Sequence, residues 1–142
     1  MWVLYQASWQ IMTVKNDFKS DSPLSKEDLE LIEATMLPSH ERHYLRILAH
    51  CLACFKEMRG SSSEGPLPNM DERLQWCMEE PKLMQEKTFI PILLNQFNSA
   101  GIELETLSSK LGITPLELTT KDLINASITL RKLDPYPIVH QK

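Results

Sequence analysis

Glycine is scarce in this chain, with four in 142 residues, and there are only three cysteines, Cys51, Cys54 and Cys77. So few glycines exclude long glycine-built loops, and nine prolines predict frequent stops between elements. An odd cysteine count at irregular spacing excludes a disulfide framework. Free thiols fit a reducing compartment, so the expected location is cytoplasmic. No apolar run approaches the roughly 18–20 residues needed to cross a bilayer, so no membrane partner is expected. A basic region is missing as well. The net charge is −4 and is shared equally between the two halves, so no bulk attraction to phosphate or anionic lipid is built in. Glycine-rich phosphate loops, H-E-x-x-H and G-x-S-x-G are absent, which predicts a protein with no catalytic residue and no cofactor.

What is present is helical periodicity. Apolar residues recur at spacings of three, four and seven, and strand-like alternation is nearly missing. Ser25, with Asp28 three residues on, predicts the start of a first helix carrying Leu29, Ile32, Ala34 and Met36, stopped by Pro38. Ser39 predicts the cap of the longest helix, about His40 to Arg59, with Tyr44, Ile47, Leu48, Cys51, Leu52, Phe55 and Met58 on its core face and Gly60 as its stop. Asn69 and Glu72 predict a capping box for a helix over Met70–Glu79, with Leu74, Cys77 and Met78 as its apolar face. A further helix is expected from about Lys82 to Ser99, kinked at Pro91 or beginning near Thr88 with that proline in its first turn, and ended by Gly101. Glu103–Leu111 reads as a separate short helix stopped by Gly112. Thr114, Pro115 and Glu117 predict the start of a last helix that reaches about Leu133, with a break near Thr119–Thr120.

These elements predict an all-α fold, a compact bundle of about six helices with a helix-turn-helix-like corner in the last third. Residues 1–21 are expected to form an N-terminal extension that contacts a partner or a second copy, 22–133 a single helical domain with a mobile loop at 60–69, and 134–142 a proline-marked tail. The extension carries Trp2, Tyr5 and Trp9 but no positive n-region, so it does not read as a signal peptide. Met12 is a second candidate start.

Three constellations could carry function. His40, His43, His50, Cys51 and Cys54 fall within fifteen residues of one helix. His50 and Cys54 are one turn apart and are the candidate metal ligands. His43 and His50 are separated by roughly 10.5 Å, too far for one ion. A mid-helix C-x-x-C in apolar company is not a redox motif, and no metal is expected.

The segment Leu104–Leu123 resembles a helix-turn-helix, with Leu107, Leu111, Gly112, Ile113 and Leu118 in place of that motif's small core. Its candidate nucleic-acid contacts are Lys110, Thr114, Thr119, Thr120 and Lys121. The segment offers no arginine, asparagine or glutamine for a bidentate base contact, and acids surround it, so nucleic acid is an alternative partner rather than the expected one.

The third constellation is the methionine supply around Met58, Met70, Met78 and Met84, close to Trp76. Methionine suits adaptable interfaces. Trp2, Trp9, Trp76 and Met78 are the candidate interface residues. The function expected is therefore that of a small non-enzymatic helical protein, a regulator or adaptor acting through protein–protein contact and self-associating as a homodimer. A transcription regulator using residues 104–123, and a metal- or small-ligand-binding bundle, are the alternatives.

Overall fold

In the computed structural model, which describes residues 24–80 and 87–133, Ser25 caps the first helix as its spacing predicts. The Ser25 hydroxyl accepts the Asp28 amide at 3.1 Å and opens α1, Lys26–Glu33. The helix ends earlier than its apolar spacing suggests. The Thr35 hydroxyl donates to the Ile32 carbonyl, Met36 turns to a φ of 66°, and the Met36 side chain is 91% exposed instead of joining the core stripe. A short polar side chain competing for the backbone ends the helix before Pro38 can.

The longest helix, α2, is Ser39–Met58 and runs through the centre of the fold. Phe55 is fully buried on it, beside Phe97, with ring centroids 5.2 Å apart. Burying an aromatic or large aliphatic side chain contributes about 1.5–3 kcal/mol each, so these residues dominate the core. Glu33 of α1 accepts from Arg42, at 2.9 Å, and from Arg46, and so ties α1 to the start of α2.

The predicted capping box at Asn69 is present: the Asn69 side chain accepts the Glu72 amide at 2.8 Å, and Glu72 accepts the Asn69 amide at 2.8 Å. It opens α3, Met70–Glu79. After a 3-10 turn at Lys87–Phe89 comes α4, Ile90–Leu111, with Pro91 in its first turn, where a missing N–H costs nothing. Here the structure corrects the sequence reading. Gly101 does not stop a helix, and Glu103–Leu111 is not a separate element. Gly101 is buried inside α4, where a Cβ would come within 3.1 Å of Arg73 Nη2 and 3.5 Å of Leu67. Its lack of a side chain serves close packing, not termination.

Gly112 does stop α4, in the left-handed conformation at φ 72°. The corner that follows contains a 3-10 turn, Pro115–Glu117, before α5, Thr120–Leu133. Thr114 and Glu117 form the expected box, but Leu118 is extended and Thr119 makes a second cap with Asp122. The break expected near Thr119–Thr120 is therefore present: Thr114 opens the 3-10 turn and Thr119 opens α5. Among the described residues five α-helices and two 3-10 turns pack around one core, and none is in a strand. α4 packs on α2 and α3, while α5 packs on α1 and α2.

Candidate functional site

Helix α3 presents two faces with opposite fates. Its inner face carries Arg73 and Cys77, both buried against α4 and α2. The Arg73 guanidinium lies over the Phe55 ring, 4.8 Å from its centroid, and donates from Nε to the Pro68 carbonyl at 2.9 Å. Burial pulls Arg73 below its ordinary range, and the nearby Glu105 carboxylate pushes it back up. Trp76 is half-buried at the edge. Its ring meets Phe97 edge-on at 6.1 Å, and its Nε1–H donates to Glu57 at 3.2 Å.

The outer face carries Met70, Leu74 and Met78, which are 53%, 41% and 58% exposed. They stand at i, i+4 and i+8, so they form one ridge of about 12 Å along the helix. Asp71, Gln75 and Glu79 lie beside them on the solvent side. Of the expected interface residues, Met78 belongs to this ridge, whereas Trp76 is spent on the core and on Glu57. Trp2 and Trp9 lie outside the described residues. The sequence reading put Leu74, Cys77 and Met78 on one apolar face. The structure separates them, burying Cys77 and exposing the other two. The 70-74-78 spacing is the signal that marks the ridge.

A second apolar surface is a groove of about 430 Å³ between α4 and α5, floored by Tyr44 and Leu48 of α2. Leu107 and Leu111 line one wall, and Ala126 and Leu130 the other. Tyr44, placed in the core by its helical spacing, is instead 42% exposed here.

His50 and Cys54 are both buried in α2, at 1% and 0% exposure. Among the described residues no group of three histidine, cysteine or acidic side chains is placed to hold a metal ion. Burial pushes the Cys51 thiol up to about 12, even though Gln96 donates to its sulfur at 3.8 Å, and pushes Cys77 up to about 12. Burial also raises Cys54 well above its ordinary value. These thiols are protonated near neutral pH, and a protonated, buried thiol is inert.

The five candidate nucleic-acid residues are separated by role. Thr114 Oγ1 accepts the Gly65 amide at 2.9 Å and donates to Glu117 at 2.7 Å. Thr119 exchanges hydrogen bonds with Asp122, and Thr120 is buried. Lys110 and Lys121 are exposed, on different helices. The corner is further fixed by the Lys56 ammonium, which donates to the Leu118 carbonyl at 2.8 Å. No helix of the described residues is long and apolar enough to cross a membrane.

Neither a curated protein nor a solved structure matches the chain. A family model does, over residues 24–132, about three quarters of the chain. The chain belongs to the family described as NDH complex assembly factor CRR9.

Proposed function

We propose that this protein is a non-enzymatic assembly factor that binds a protein component of the NDH complex while that complex is being built. The family match over residues 24–132 carries the reading. The chemistry of the chain supports it. Its thiols are buried and held protonated, which removes them as nucleophiles, while large apolar side chains stand exposed on α3 and along the α4–α5 groove. Such side chains are what a factor that grips another protein needs at its surface.

The test is the amount of assembled NDH complex, read on native gels, in cells from which this protein has been removed. Assembled complex is expected to fall while the transcripts of its subunits stay level, and restoring the protein is expected to bring it back. Normal amounts of complex in those cells would overturn the proposal.

A further inference from the structure

The ridge on α3 has a chemistry that selects its partner. Met70, Leu74 and Met78 are exposed in one line, and methionine adapts its shape to what it touches. Among the described residues of α3, the exposed charges beside that line are acidic. Asp71 and Glu79 are exposed on its solvent side. Of the described basic groups on α3 and at the end of α2, Arg59 pairs with Glu72 at 2.8 Å, and Arg73 lies over Phe55 with its Nη1 3.9 Å from the Met70 sulfur.

We infer that the Met70–Leu74–Met78 ridge docks an amphipathic helix of a partner protein whose apolar face is edged by lysine or arginine. A helix fits because the ridge is the side of a helix. Its i, i+4, i+8 side chains pack into the grooves of another helix, and it offers no backbone edge for a strand to pair with. Basic edges fit because Asp71 and Glu79 would face them at the rim, where opposite charges steer encounter and like charges reject wrong partners. A second copy of this chain fits less well, since two-fold pairing of the ridge would bring acid against acid. The inference rests on the assembly reading for the partner's origin, and on the ridge alone for its chemistry.

The experiment uses the full chain with methyl-labelled methionine, observed by NMR. The probes are two designed amphipathic peptides of about 18 residues with a leucine face, one edged by lysine and one by glutamate. The lysine-edged peptide is expected to shift the Met70 and Met78 methyl signals and to bind at least about tenfold tighter than its counterpart, a difference of about 1.4 kcal/mol. The double variant D71K/E79K is expected to reverse the preference. L74Q/M78Q is expected to weaken binding about tenfold while circular dichroism shows the helices intact.

Equal binding of the two peptides, or an unchanged preference in D71K/E79K, would overturn the inference. So would movement of the Met70 and Met78 signals on Trp2→Ala or Trp9→Ala without peptide, since that would make the chain's own N-terminal segment the occupant. Failure of the peptides with loss of NDH complex in depleted cells would sink the ridge and leave the assembly reading standing. Selective peptide binding with normal NDH complex would do the reverse.

Discussion

Gly101 lies against the guanidinium of Arg73, so closely that a Cβ at Gly101 would come within 3.1 Å of Nη2. The contact joins the middle of α4 to the inner face of α3, the same helix whose outer face bears the exposed ridge. Arg73 therefore braces the ridge from behind, through its bond to Pro68 and its stacking on Phe55.

Gly101→Ala sets two effects against each other. The helix interior gains about 1 kcal/mol from the change. Against this, the pinned Arg73 must shift by a few tenths of an ångström. The expected outcome is a stability within about 1 kcal/mol of the parent in urea unfolding. Gly101→Leu has no such compensation and is expected to cost about 1–3 kcal/mol by overpacking. Arg73→Ala removes the stacking and leaves the Pro68 carbonyl without its donor, and is expected to cost about 2–4 kcal/mol. Because both changes act at one contact, the pair in a double-mutant cycle is expected to be non-additive by more than about 0.5 kcal/mol.

Gln96 is a buried amide in the core, donating to Cys51 while its Oε1 has no hydrogen-bond partner among the described residues. An unpaired buried acceptor costs about 1–3 kcal/mol. Gln96→Met keeps the length of the side chain and removes the acceptor, so it is expected to raise the unfolding midpoint. A lower midpoint in thermal or urea unfolding would show that the amide contributes more than it costs.

Two capping carboxylates set the acid side of stability. The backbone bond at Asn69, then Arg59, holds Glu72 below its ordinary value of 4.5, and the backbone and side chain of Thr114 hold Glu117 below the same value. Since the folded value is the lower one, the unfolded chain binds the proton first. Stability from both groups is fully present above 4.5 and is lost as pH falls through their folded values. Unfolding midpoints measured against pH are expected to drop on that acid limb, less steeply in E72Q and E117Q than in the parent.

The thiols set a limit on the alkaline side. Burial raises Cys51 and Cys77 from 9.0 to about 12, so the unfolded chain loses those protons first. Stability falls as pH rises from 9.0 toward 12, by the same linkage with the opposite sign. A thiol reagent at pH 8 is expected to react slowly with the folded protein at all three cysteines, and at once after addition of denaturant. Fast labelling of Cys54 in the folded state would contradict its burial.

Much of the fold is legible in the chain because its signals are local. Ser25, the Asn69–Glu72 box and Pro91 mark helix starts, since each satisfies or dispenses with backbone donors within a single turn. Gly112 marks a stop because its own φ allows the left-handed turn. The Thr114–Glu117 box is real too and opens a 3-10 turn, and the break expected near Thr119–Thr120 follows it, where Thr119 and Asp122 supply a second cap.

The sequence alone therefore determined the helical class, the even spread of the −4 charge and most helix boundaries. Only the tertiary structure decided that Gly101 lies inside a helix under Arg73, that Tyr44 floors a groove, and that α3 buries Arg73 and Cys77 while exposing Met70, Leu74 and Met78. The reason is physical. A helical pattern fixes the angle at which each side chain leaves the axis, but burial depends on whether another element occupies that direction, and that neighbour is distant in sequence.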